Sequence, residues 1–166
     1  SFPKTGRTWL NYMLKQMVQQ SNHPLKDNEN FIFNEHDNSE IIIENGTRNN
    51  PLDVFKFTSR TRYRRGKVLF LVRDPRDVVV SHFHQVTKRS RNPFVFKSIS
   101  DFVKDDILGF NRIIHYYNLW FSQKEIPKDF LLIKYEDLLN EGVDTLSEIN
   151  KFFNIDIIKD KIEKIY

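Results

Sequence analysis

The sequence predicts an α/β fold: a three-layer sandwich with a central parallel sheet and a P-loop-like phosphate-binding loop. Three observations carry that expectation. Residues 68–72 (Val-Leu-Phe-Leu-Val) form an unbroken apolar run of the length of a strand buried on both faces. Residues 130–133 (Phe-Leu-Leu-Ile) form another. Between and around these runs apolar residues recur at helical spacing, so strands alternate with helices, the pattern of a parallel sheet covered on both sides.

Taken in order, residues 1–6 read as a turn punctuated by Pro3 and Gly6. A helix is expected over 8–20, with Trp9, Met13 and Met17 on its apolar face and Leu10 and Leu14 beside them. Residues 21–30 are polar, contain Pro24 and read as a loop. Phe31-Ile32-Phe33 is a short apolar run of strand type, and Ile41-Ile42-Ile43 reads as an edge strand. Residues 46–53 are turn-like, and the basic stretch 54–66 has no decisive periodicity, a short helix being one reading of it. The strand at 68–72 ends abruptly at Arg73 and Asp74. Pro75 lacks an N–H and has a fixed φ, which suits a first helical turn, and Asp77 adds a favourable negative charge near that start. A helix is therefore expected over 76–88. Residues 90–92 read as loop, Phe94-Val95-Phe96 as a packed surface segment, and 101–124 as one helix with Gly109 a point of interruption. Pro127 precedes the strand at 130–133, a helix follows over 141–153, and another occupies 157–166.

The chain of 166 residues is one domain by length and long enough to bury a core. Its formal charge is +4. The excess is concentrated: between Arg60 and Arg91 basic residues far outnumber the acidic pair Asp74 and Asp77. Such a run points to an anionic partner (a nucleotide, a phosphate or sulfate ester, an acidic glycan or a nucleic acid) or to a solvated basic surface. The absence of cysteine excludes disulfides, thiolate metal sites and cysteine nucleophiles. No apolar run approaches the length of a membrane span, and no secretory signal is visible.

Two stretches carry chemistry. In Pro3-Lys4-Thr5-Gly6-Arg7-Thr8-Trp9 a lysine, a glycine and two hydroxyl residues precede a helix. Backbone N–H groups at a helix start attract anions, Thr5 and Thr8 add hydroxyls, and Gly6 permits close approach of a ligand to the backbone. An ordinary capped helix with a stray lysine has the same composition. The Walker A pattern G-x-x-x-x-G-K-S/T is absent, which disfavours an ordinary ATPase or GTPase. In Arg73-Asp74-Pro75-Arg76-Asp77-Val78-Val79-Val80-Ser81 a strand edge feeds a helix, and that edge is where open parallel sheets bind ligands.

Together the two stretches resemble the nucleotide signatures of the sulfotransferase family that uses 3′-phosphoadenosine 5′-phosphosulfate (PAPS). Its P-K-S/T-G-T/R-T-W loop corresponds to residues 3–9, and its R-D/N-P-R/K-D-x-x-x-S segment to residues 73–81. Tyr135-Glu136-Asp137, after the strand at 130–133, matches the family's Y-E-D segment. The resemblance implies a single sulfotransferase domain over 1–166. It is expected to be incomplete at both ends, since the family carries a strand before the loop and an R-K-G-like segment later in the chain. It implies sulfuryl transfer from PAPS, with PAP as product, to a hydroxyl or amine acceptor, either a small molecule or a glycan.

By resemblance Lys4 contacts the phosphosulfate and stabilises the departing phosphate oxygen, while Thr5, Gly6, Arg7 and Thr8 line the 5′ site. Arg7 either adds a sulfonate contact or faces solvent. Trp9 stacks on adenine by resemblance, or else belongs to the core. Arg73 offers a guanidinium fork to the 3′-phosphate, in a geometry that lysine cannot copy. Ser81 adds a hydroxyl or bonds back to its own helix, and Tyr135 lies near the adenosine. Asp74, Arg76 and Asp77 read as a helix cap with internal ion pairs. Transfer to an alcohol needs a proton acceptor, and histidine suits that task near neutral pH. The candidate is His36, just past a short apolar run, although Asn34 stands where the family's pattern has lysine. Glu35 and Asp37 are alternatives. Phe55-Lys56-Phe57-Thr58 offers a competing alignment with a threonine in place of histidine. His82, His84 and His115 are expected to pack or face solvent. Phe94, Phe96, Tyr116, Tyr117 and Trp120 read equally as an aromatic acceptor site or as core. The competing functions are a small-molecule P-loop kinase and a non-catalytic nucleotide or polyanion binder. A nucleic-acid module is not expected, because no standard recognition motif is present. No metal is expected, and the simplest location is cytoplasmic.

Overall fold

The computed structural model describes residues 2–22, 66–90 and 93–166, together with the backbone of 41–42. The expected strand at 31–33 and the expectations for 46–65 lie outside the described residues. Among the described residues, three strands form a parallel sheet in the order β1 (Ile41–Ile42), β2 (Lys67–Val72), β3 (Asp129–Lys134). β2 pairs with β3 in register from Lys67 opposite Asp129 to Val72 opposite Lys134. β1 joins the other edge of β2 through Ile41 opposite Lys67 and Ile42 opposite Val68.

Strand alternation distributes β2 between two cores. Leu69 and Leu71 face one layer, with Leu10, Met13, Leu14 and Met17 of α1 (Arg7–Gln20) and Leu146 and Ile149 of α6 (Gly142–Phe153). Val68 and Phe70 face the other, with Val78 and Val79 of α2 (Pro75–His84), Phe102 of α3 (Ile99–Lys104) and Ile113, Tyr116 and Trp120 of α4 (Phe110–Ser122). The continuous apolar run is thus required over 68–71, where the strand is buried on both faces. This is the expected three-layer sandwich. Phe70 stacks on Trp120 with centroids 5.5 Å apart, and full burial of one such side chain contributes about 1.5–3 kcal/mol. α5 (Tyr135–Asn140) and α7 (Lys159–Ile165) complete the first layer, and Lys161 Nζ ties α7 to α1 by donating to the Gln20 carbonyl.

Three elements differ in detail from the sequence reading. The helical stretch expected over 101–124 does break at Gly109, the point of interruption read from the sequence: it is α3, starting at Ile99, and α4, separated by a turn. The Asp105 carboxylate accepts from the N–H groups of Ile107 and Leu108, and Gly109 N–H donates to the Asp105 carbonyl. A Cβ at Gly109 would lie 2.6 Å from the Val103 carbonyl oxygen, so this tight turn admits only glycine. The helix expected over 76–88 begins at Pro75 and continues past His84 as a π-helical turn, Gln85–Arg89. Thr87 Oγ1 donates to the Phe83 carbonyl four residues back, a side-chain bond that competes with regular winding. Finally, β3 runs directly into α5, which periodicity did not indicate. Glu136 and Asp137 stabilise its first turn against the helix dipole.

Candidate active site

The segment before α1 is a compact loop. Phe2 is buried at its base, and the buried Thr5 hydroxyl donates to the Phe2 carbonyl at 2.9 Å. Lys4 and Gly6 both have left-handed backbones, with φ of 69° and 93°. The second is free for glycine; the first is unfavourable for lysine. Gly6 also lies against Tyr135: a Cβ there would come within 2.6 Å of the ring's Cε2. The loop delivers the chain into α1 at Arg7, one residue earlier than expected, with no capping side chain and no acidic residue in the first turn. The helix start therefore retains its positive character.

The strand edge lies opposite. Arg73 follows the last β2 residue, and its side chain is held on three sides. Its Nη2 meets the Asp77 carboxylate at 3.2 Å, its Nη1 donates to the Lys4 carbonyl at 3.5 Å, and its guanidinium lies 4.6 Å from the centre of the Tyr135 ring. Asp74 caps α2 by accepting from Arg76 N–H at 2.8 Å and pairs with the Arg76 guanidinium, which holds its carboxyl at about 2. Asp74 and Arg76 thus serve as cap and ion pair, as read from the sequence, whereas Asp77 pairs with Arg73 and not within the trio. Asp74 N–H in turn donates to Glu136 Oε1 at 3.0 Å, which joins the Y-E-D segment to the strand edge.

These elements enclose one cavity of about 730 Å³. Lys4, Gly6, Arg7, Thr8, Arg73 and Ser81 line one part of it, and Trp9 and Tyr135 add aromatic surface. The predicted residues of both motifs are therefore brought together, with one exception. Thr5 does not line the cavity: its hydroxyl is committed to Phe2, so its side chain shapes the loop rather than offering a donor. Trp9 packs against Tyr135 and Tyr166, with centroids 6.0 and 5.9 Å away, and so contributes to both cavity wall and core. His36, Glu35, Asp37 and the alternative at 55–58 lie outside the described residues.

Among the described residues the lining contains cations and no carboxylate. Burial pushes the Lys4 ammonium below its ordinary value, with the nearby Arg89 guanidinium adding to the effect. Burial likewise lowers Arg7. Arg7 Nη1 and Arg73 Nε are buried with no hydrogen-bond partner among the described residues. Buried guanidinium N–H groups left unsatisfied are costly, and both stand at the wall where the resemblance places phosphate groups. The residues present thus fit a nucleotide with phosphates at both its 3′ and 5′ positions.

The sequence reading missed the rest of the lining, formed by Phe2, His82, Gln85, Val86 and Ser90. The signal was available in part, since 82, 85 and 86 follow Ser81 at helical spacing. His82 is not a solvent-facing residue. Its ring is buried between Phe2 and Phe102, and Nδ1 lies 3.2 Å from the Leu108 carbonyl, a contact that places the proton on Nδ1 of the neutral ring. Burial lowers its pKa from 6.5, and the cations Arg112 and Lys4 act in the same direction. The unfolded chain then binds more protons than the folded one just below that value. His82 is therefore expected to leave stability undiminished above 6.5 and to erode it as pH falls toward the depressed folded-state value. Thermal melts at about pH 7.5 and 5.5 check this. The melting temperature should drop on acidification, and His82→Asn, whose amide can still donate to Leu108, should drop less. An equal drop in both proteins would refute the role.

The aromatic candidates separate clearly. Tyr116 and Trp120 are core residues, Phe96 packs against the same core, and Phe94 is exposed. Among the described residues no helix is long and apolar enough to cross a membrane, and no cluster of potential metal ligands is present.

Comparison with known proteins gives the same result at the level of the whole chain. A family model described as the sulfotransferase domain matches residues 1–166. Cytosolic sulfotransferase 6 of Arabidopsis thaliana is 24% identical over 189 residues, covering 98% of this chain and 56% of that protein. Sulfotransferase 2A2 of Mus musculus is 25% identical over 175 residues, covering 99% of this chain and 61% of that protein. The chain thus spans little more than half the length of these relatives. The crystal structure of mouse sulfotransferase SULT7A1 complexed with PAP shares the fold, with a TM-score of 0.68 at 19% identity over 99% of this chain and 59% of that one. With its loop, strand edge and Y-E-D segment closing on one cationic cavity, and its full length matched by the domain, this chain belongs to the sulfotransferase family.

Proposed function

We propose that the protein transfers a sulfuryl group from PAPS to a hydroxyl or amine of a small-molecule or glycan acceptor, in a cytoplasmic setting. The observation that carries this reading is the convergence of Lys4, Arg7, Arg73 and Ser81 on one cavity in which two buried guanidinium nitrogens lack partners among the described residues. PAPS would supply the activated sulfuryl group. Arg73 and Ser81 hold the 3′-phosphate, the guanidinium by its fork and the hydroxyl by donation. The α1 start with Thr8 and Arg7 holds the 5′ end. Lys4 stabilises the negative charge that develops on the departing phosphate oxygen. Trp9 and Tyr135 offer ring faces to adenine. His36 takes the acceptor's proton, with Glu35 or Asp37 able to orient it.

Calorimetric titration of the intact protein with PAP, beside AMP, which lacks the 3′-phosphate, tests the reading. Binding of PAP well above AMP is expected, followed by transfer of labelled sulfate from PAPS to an acceptor in a screen of alcohols, phenols and amino sugars. Preference for ATP with magnesium would overturn it in favour of a kinase. Binding of PAP without transfer in any acceptor class would leave a nucleotide binder in its place.

A further inference from the structure

We propose that Tyr117 is a positioning residue for recognition of the 3′-phosphate: its hydroxyl clamps the peptide of Arg73 and so aims the guanidinium. This rests on the reading of Arg73 given above.

Tyr117 lies on α4 beside Tyr116 and Trp120, and its ring meets Phe70 edge-on at 6.1 Å. Helical spacing alone would make it one more core residue. Its hydroxyl instead reaches the end of β2, where it accepts from Arg73 N–H at 3.2 Å and donates to the Arg73 carbonyl at 3.0 Å. A single phenol can do both, having one donor and free lone pairs. Arg73 needs such a partner because of where it stands. The register of β2 with β3 ends at Val72, and α2 begins at Pro75. The residue that carries the guanidinium therefore sits between ladder and helix, where neither regular pattern serves its backbone. Burial pushes the phenol up to about 12, so the donor is retained across the physiological range. The neighbouring residue is held separately, Asp74 N–H by Glu136. Two side chains from two different elements thus fix the turn from which Arg73 projects. The side chain's own contacts (Asp77, the Lys4 carbonyl and the Tyr135 ring) then set its direction, while Nε has no partner among the described residues.

Tyr117→Phe removes the clamp and keeps the ring against Phe70. The readout is the ratio of PAP to AMP affinity, measured by calorimetry on the folded protein. The variant should lose about tenfold in PAP affinity, as expected when a buried peptide loses a hydrogen-bond partner, with AMP affinity almost unchanged. In an Arg73→Ala background the same change should leave the ratio where it was, because Tyr117 acts only through Arg73. Equal weakening of both nucleotides, or no change in either, would overturn the proposal, since a merely structural tyrosine does one or the other. Should the variant not fold, amide exchange in the intact wild type decides. Arg73 N–H must be protected, and fast exchange there overturns the clamp. A wild type that does not discriminate PAP from AMP removes the 3′-phosphate role of Arg73 and this proposal with it, and that failure is visible before any variant is made.

Discussion

Replacing Lys4 with methionine is expected to lower kcat by about 100- to 1000-fold, the scale seen when a group that stabilises developing charge is removed. The dissociation constant for PAP should change far less. Lys4 stands in the cavity in a left-handed backbone that costs a non-glycine residue about 1–2 kcal/mol. Its ammonium is held below its ordinary value by burial and by Arg89, so it is a cation in a place that disfavours cations. Glycine would suit this φ better, and a strained conformation retained at a cavity wall is a sign of chemistry rather than of packing. A second variant separates the two. Lys4→Gly should keep or raise the melting temperature while losing activity as fully as methionine does. A steady-state assay and a thermal melt on both variants are sufficient. Near-normal kcat in either one would remove Lys4 from the reaction.

The strand at 68–72 and the helices around it were legible because their signals are local and redundant. β2 must be apolar from Val68 to Leu71, where both of its faces are covered, and α1 shows its buried side in the spacing of Met13 and Met17. The two motifs were legible as residue types, and the structure brings them within reach of each other through the Arg73 contact to the Lys4 carbonyl. What sequence did not disclose depends on winding and on partners far along the chain. Apolar spacing cannot tell an α-helix from one that widens at Gln85, and the break between α3 and α4 was marked by Gly109, not by spacing. It cannot tell that the Thr5 hydroxyl turns inward to Phe2 while Thr8 stays at the wall. Nor can it separate Tyr116 from Tyr117. They are adjacent and chemically identical, but one is core and the other spans 44 positions to bind the Arg73 peptide.

Arg73→Lys is expected to weaken PAP binding by about 100-fold, the equivalent of roughly 2–3 kcal/mol, while AMP binding changes little. The substitution keeps the charge, so charge alone cannot account for the loss. The fork is what disappears. In the structure the guanidinium spends Nη2 on Asp77 and Nη1 on the Lys4 carbonyl, lies over Tyr135, and still has a buried Nε with no partner among the described residues. A lysine's three mobile donors on one nitrogen cannot meet these directions at once, nor can its compact ammonium lie flat over the ring. The Lys4 contact gives the variant a second signature. Because Arg73 also anchors the loop that carries Lys4, kcat should fall as well as affinity, and Lys4→Met should cost less in the Arg73→Lys background than in the wild type. Calorimetry with the two nucleotides and a four-enzyme rate cycle measure both effects. Full additivity would mean that the loop holds Lys4 without help from the strand edge. Equal loss for PAP and AMP would move the 3′-phosphate contact away from Arg73.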